Sequence, residues 1–154
     1  MHSNQFDKYS HHYWMAVALE IARKEEAEVP VGAIIVRDNE LLVSAVNKIE
    51  ESNDSTAHAE ILAIREASKV TSSWRLNNCT LYTTLEPCAM CMGAIINSRM
   101  SKLVFGAYDL NAGACVSAIN LIHVLGREKQ IEVTGGVLEI ETGELLKTFF
   151  KSKR

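Results

Sequence analysis

What the sequence lacks already narrows its class. No apolar run is long enough to span a bilayer, so no membrane-crossing segment is expected. The polar start Met1-His2-Ser3-Asn4-Gln5 is not a secretory signal, and a cytoplasmic protein is expected. Repeats, linkers and low-complexity stretches are missing, so residues 1–154 are expected to form a single domain. Positive charge is not in excess either. With 16 Lys and Arg against 19 Asp and Glu, the formal net charge of −3 argues against a general nucleic-acid binder. The end of the chain differs locally, since Lys147, Lys151, Lys153 and Arg154 have no acid among them. Such a tail is either a solvated end or weak support for a phosphate-bearing partner. What is present is ordinary: 47% hydrophobic and 23% charged residues, with enough length to bury a good core.

Four cysteines could in principle form two disulfides. Two of them suit another purpose. Cys88 and Cys91 stand three apart behind Pro87, and upstream lies His58-Ala59-Glu60. Thiolate and imidazole are good zinc ligands, and a catalytic zinc takes three protein donors where a structural one takes four. A lone Cys-x-x-Cys could equally be a redox pair, and a lone His58 could be a hydrogen-bonded core histidine. The combination, with a spare acid beside the His, predicts a catalytic zinc site of His58, Cys88 and Cys91 with Glu60 as proton carrier. Pro87 suits the first helical position and Thr56 an N-cap before Ala57, so both ligand sets are expected in the first turns of helices. Cys79 and Cys115 read as ordinary thiols, and His2, His11, His12 and His123 as surface or capping residues.

In chain order, Ser10 caps a helix running to about Ala27, with Trp14, Val17, Ala18, Ile21 and Ala22 as its apolar stripe. Val31 to Val36 reads as a strand buried on both faces, Asp38-Asn39 as a tight turn, and Leu41 to Val46 as the returning strand. A polar loop from Glu50 to Ser55 precedes the first zinc helix, which ends near Val70. Thr80 to Leu85 is a strand, Cys88 to Asn97 a helix, and Leu103 to Ala107 a strand. A loop from Asp109 to Val116, a short helix around Ile119 to Val124, and a strand Ile131-Glu132-Val133 follow. Gly143 to Lys151 is a last helix with Leu145, Leu146, Phe149 and Phe150 as its apolar face. Alternating strands and helices indicate an α/β sandwich.

His-x-Glu with Pro-Cys-x-x-Cys is the known signature of zinc nucleobase deaminases. Together with Val29-Pro30-Val31-Gly32-Ala33, Thr56-Ala57-His58-Ala59-Glu60, Trp74-Arg75-Leu76 and Thr84-Leu85-Glu86-Pro87-Cys88, it resembles the cytidine-deaminase superfamily and, within it, the bacterial tRNA-specific adenosine deaminases. That resemblance implies a three-layer α/β/α sandwich with a five-stranded mixed sheet in the order 2-1-3-4-5. It also implies one Zn²⁺ per chain, a homodimer and a tRNA anticodon loop as partner. By position it makes Glu60 the proton shuttle, and it places Asn47 and Asp109 against the substrate. From its residue type alone Asn47 would close a strand. Glu86 matches as well, but an acid before a helix is what the helix dipole favours, and it is left out of the catalytic set. The chain departs from the family at two points of one loop. Asp109-Leu110-Asn111 replaces the usual Asp-x-Lys, and Val116-Ser117 replaces Gly-Ser.

The implied reaction is hydrolytic deamination of adenosine to inosine at the wobble position of a tRNA. The rival within enzymes is a free-base deaminase acting on guanine or cytosine. A catalytically silent, zinc-stabilised RNA-binding subunit is the rival outside them, and the presence of Glu60 argues against it.

Overall fold

The structure is a computed structural model and describes residues 2–24 and 28–153. Its centre is a five-stranded mixed sheet in the order β2-β1-β3-β4-β5. The strands are β1 (Gly32–Arg37), β2 (Glu40–Val46), β3 (Cys79–Leu85), β4 (Lys102–Ala107) and β5 (Glu132–Thr134). The helices are α1 (His11–Lys24), α2 (Ile49–Ser52), α3 (Ala59–Thr71), α4 (Ala89–Asn97), α5 (Leu121–Val124) and α6 (Glu139–Ser152). β1 runs antiparallel to β2 and β3, whereas β3, β4 and β5 are parallel.

Residue alternation divides the core into two layers. Ala33 and Ile35 of β1, Leu81 of β3, and Leu103 and Phe105 of β4 face α3 and α4. Ile34, Val36, Tyr82 and Val104 face the opposite way, toward Trp14, Met15 and Ala18 of α1. With a side-chain period of two, strands covered on both sides must be apolar at nearly every position, as Gly32–Val36 is. The three-layer sandwich follows. Truncating one fully buried side chain such as Leu103 to Ala would cost about 2–5 kcal/mol.

The β1–β2 turn is the expected one. Asp38 and Asn39 have φ of 51° and 59°, the left-handed pair that suits a two-residue hairpin. Ser10 caps α1 through its Oγ, which accepts from Tyr13 N–H at 3.0 Å. The expected last turn of this helix, up to Ala27, lies outside the described residues beyond Lys24.

Other boundaries move. α2 forms inside the expected polar loop because the Glu28 carboxylate accepts from the N–H groups of Ile49 (2.7 Å) and Glu51 (2.9 Å). α6 starts at Glu139, ahead of Gly143, because Leu138 takes a left-handed φ of 53° and turns the chain into the helix. Thr142 is its buried residue and fits only because position 106 is Gly; a Cβ there would strike the Thr142 side chain. Phe150, expected on the apolar face, is half exposed, while Leu146 packs on the core. His11, expected at the surface, is half-buried with its Nδ1 2.9 Å from the Tyr82 hydroxyl.

Strand directions put four chain ends at one edge of the sheet. The pairings Gly32–Val46, Ala33–Thr83 and Leu85–Ala107 align the end of β2, the start of β1 and the ends of β3 and β4. Every residue of the predicted site follows or adjoins one of these ends, as expected for an α/β sheet.

Candidate zinc site and its pocket

His58 and Cys88 do not lie inside their helices. They are the N-caps, with extended backbones (ψ 151° and 176°), and the helices begin at Ala59 and Ala89. Thr56 therefore does not take the cap of α3 that the sequence suggests for it, and Pro87 stands before the N-cap, two residues ahead of the first residue of α4. Thr56 instead donates its N–H and hydroxyl to Asp54 in a turn of their own. A residue at the cap has left the helix screw, so its side chain can point across the gap between two helices rather than along one. His58 makes no capping bond through its side chain. Asn47 supplies that bond from the residue just after β2, its Oδ1 accepting from Ala59 N–H at 2.8 Å.

The three donors converge. His58 Nδ1 is 3.7 Å from Cys88 Sγ and 3.5 Å from Cys91 Sγ, and all three ligand atoms lie within 4.8 Å of one another. Tetrahedral zinc, with bonds of about 2.3 Å to sulfur and 2.0–2.1 Å to nitrogen, requires donors roughly 3.6 Å apart. The residues fit the metal. Their charge fits as well, for the Cys88 thiol is pulled down to about 5, chiefly by the Cys91 S–H, against its burial, with help from α4 backbone N–H groups and His58. Cys91, fully buried and donating to Cys88, is pushed up in turn. The pair therefore carries one negative charge readily, and a dication favours the second.

A cavity of about 200 Å³ opens on the site, and Asn47, His58, Glu60, Cys88, Glu86 and Asp109 are among its lining residues. That is below the roughly 300–1,000 Å³ of drug-sized pockets, so it admits about one ring system and leaves a larger molecule outside. Glu60 does turn toward the ligands despite its awkward spacing. Its side chain is only 4% exposed, Oε1 accepts from the Thr83 hydroxyl at 2.8 Å, and burial raises its carboxyl above the usual range. The structure thus brings His58, Cys88 and Cys91 together and places Glu60, Asn47 and Asp109 around the same cavity.

The Asp109 carboxylate bends back on its own loop, Oδ1 accepting from Asn111 and Ala112 N–H, each at 3.1 Å. Two residues that the sequence reading did not place in the site are Thr83 and Glu86. Thr83 looks like any strand residue in sequence. Glu86 does carry a signal, its place directly before Pro87-Cys88, but the helix dipole is a sufficient local reason for an acid there. It is 2% exposed and accepts from the N–H groups of Asp109, Cys115, Val116 and Ser117 and from the Ser117 hydroxyl. Burial opposes its charge, but those donors outweigh it and hold the carboxyl below its ordinary range.

Comparison with known proteins agrees with this geometry. The family described as the cytidine and deoxycytidylate deaminase zinc-binding region matches residues 8–107. A tRNA-specific adenosine deaminase of Bacillus subtilis is 45% identical over 143 residues, which cover 92% of this chain and 89% of that protein. One of Aquifex aeolicus is 44% identical, with 92% and 95% covered. A solved structure from work on A-to-I editing by tRNA:A34 deaminases superposes with a TM-score of 0.80 at 38% identity, covering 87% of this chain and 99% of that one. A guanine deaminase from Nitrosomonas europaea superposes with a TM-score of 0.76 at 26% identity, covering 90% and 83%. The chain belongs to the cytidine and deoxycytidylate deaminase zinc-binding family and, within it, to the tRNA-specific adenosine deaminases.

Proposed function

We propose that this protein is a zinc-dependent hydrolase that converts adenosine to inosine at the wobble position of tRNA, releasing ammonia. The observation that carries the chemistry is the buried Glu60 carboxyl, held by Thr83 in the cavity onto which the three-donor site opens. His58, Cys88 and Cys91 would hold a zinc ion, which would supply the Lewis acidity needed to make a water nucleophilic near neutral pH. Glu60 takes the proton that this water loses and delivers it to N1 of the adenine, which makes C6 electrophilic. After attack at C6, Glu60 takes the remaining proton from the added hydroxyl and passes it to the amino group; the C6–N bond then breaks as the C6 carbonyl forms, and ammonia departs.

The narrow cavity supports a base turned out of its strand, at a cost of a few kcal/mol that is smaller in a loop than in a duplex. In this reading Asn47 and Asp109 contact the nucleoside, Asn47 through the second N–H of its Nδ2, whose first donates to Val29 O at 3.5 Å, and Asp109 through Oδ2, an atom with no partner among the described residues; both residues line the cavity. The larger partner is the tRNA anticodon loop, outside the cavity. Residues 1–154 act as one deaminase domain, in line with the single sheet and its two covering layers. A homodimer accounts for the exposed apolar side chains Val116, Ile119, Val124 and Leu125, which crowd one stretch of chain. The tRNA substrate and the unpaired thiols of Cys79 and Cys115 fit work in the cytoplasm, and among the described residues no helix is long and apolar enough to cross a membrane.

The deciding experiment is incubation of the zinc-loaded protein with total tRNA, then with free guanine and cytosine. Inosine should appear at wobble adenosines. Turnover of a free base without any tRNA inosine would overturn the assignment, and light scattering tests the dimer.

A further inference from the structure

Glu86 is the one buried acid beside the cavity that the reaction above does not use. Both of its oxygens are engaged by donors of the protein. Oε2 accepts from Cys115 (3.2 Å), Val116 (2.8 Å) and Ser117 N–H (2.9 Å), while Oε1 accepts from Asp109 N–H (3.1 Å) and Ser117 Oγ (2.5 Å). These donors come from both ends of the Asp109–Ser117 loop, so one carboxylate closes it. The loop is fitted to that group, since a Cβ on Gly113 would run into the Glu86 carboxyl carbon. Backbone bonds from Glu86 N–H to Ala107 O (2.9 Å) and from Ala114 N–H to Pro87 O (2.8 Å) complete the join. Two residues further along is the zinc ligand Cys88, and Asp109 and Ala112 of the loop form the facing wall of the cavity.

We infer that Glu86 is a positioning residue that fixes the Asp109–Ser117 wall at a set distance from Cys88 and thereby sets how tightly the cavity grips the substrate nucleoside. This rests on the proposed deamination. A carboxylate accepting from five donors has no lone pair left to offer substrate, so it acts through the loop. The exposed Val116 side chain plays no part in the device, because Val116 takes part through its backbone N–H.

The test compares zinc-loaded wild type with Glu86→Gln and Ser117→Ala. In Glu86→Gln the amide meets donors that need an acceptor, and KM for tRNA should rise about tenfold while kcat stays within about threefold. Amide hydrogen exchange at Asp109, Cys115, Val116 and Ser117 should quicken about tenfold or more, with the β3 amides unchanged. An unchanged KM, a fall in kcat alone, or unchanged exchange overturns the inference. Ser117→Ala removes a single hydroxyl bond and should raise KM about threefold at full zinc content. If Glu86→Gln fails to hold zinc, that second variant decides, and a wild-type KM in it sinks the idea. A wild type that makes no inosine in tRNA would defeat the functional assignment instead, and exchange alone would then judge the loop.

Discussion

Glu60 and Glu86 are both buried carboxylates on one cavity, and their surroundings are opposite. Glu60 has the Thr83 hydroxyl as its hydroxyl partner and a raised pKa, whereas Glu86 has five donors and a lowered one. Burial disfavours charge in both. Only in Glu86 do hydrogen bonds to the charged form outweigh it. A proton carrier must be able to change state near working pH, while a structural acceptor must not. One residue type thus gives two roles, and the environment assigns them.

The contrast disappears altogether if the metal site is broken. His58→Ala, Cys88→Ala or Cys91→Ala should each lower zinc content from one per chain, reduce the melting temperature and abolish deamination, because binding and folding share one free energy. Metal analysis and calorimetry check this; full zinc in Cys88→Ala would remove Cys88 from the ligand set. Next in size is Glu60→Gln, which keeps shape and zinc but cannot accept a proton. Activity should fall roughly 10²–10⁴-fold in kcat with tRNA binding preserved, the reverse of the KM effect expected at Glu86. Near-normal turnover would show that the proton travels elsewhere.

A smaller effect is expected behind Glu60. Thr83→Val removes the hydroxyl that fixes Oε1 while nearly keeping the shape of a fully buried position. The freed carboxylate can rotate, and kcat should fall about tenfold, the worth of roughly one hydrogen bond, with zinc content and KM unchanged. A change in KM instead would mean that Thr83 shapes the cavity rather than the proton carrier.

These residues also mark what could be read from sequence. The apolar run of β1, the strand formers of β3, the Asp38-Asn39 turn and the pairing of His58 with Cys88 and Cys91 are local or motif signals, and they survive in the structure. The helix starts were misplaced because Thr56 and Pro87 have strong cap and first-turn preferences, yet the ligands themselves take the cap positions. Glu86 was assigned to the dipole because its partners lie 23 to 31 residues away, beyond any local pattern. Thr83 carried no signal at all, since a threonine in a strand needs no further reason.

The Glu86-held loop also decides where Asn111 sits, and this gives the smallest expected effect. Asp109 accepts from Asn111 N–H, which turns the backbone inward and leaves the Asn111 side chain exposed beside Leu110, itself 80% exposed. The family resemblance implies Lys at this position, and a Lys near phosphate adds mainly non-specific, salt-sensitive affinity. Asn can donate a hydrogen bond but brings no charge. The reaction and target base should therefore be unchanged in Asn111→Lys, because nothing at the zinc site or Glu60 is touched. Binding should change in one respect. Plotted as log K against log of salt concentration, the slope should steepen by about 0.7, one phosphate on a single strand. The loop frame predicts this only while Glu86 holds it, so the added slope should shrink in Glu86→Gln/Asn111→Lys, where the Lys no longer has a fixed place. An unchanged slope in the single variant would mean that Asn111 faces away from the RNA. Asp109 would then serve only to cap its own turn, and the wall of the cavity would have no part in holding the strand outside it.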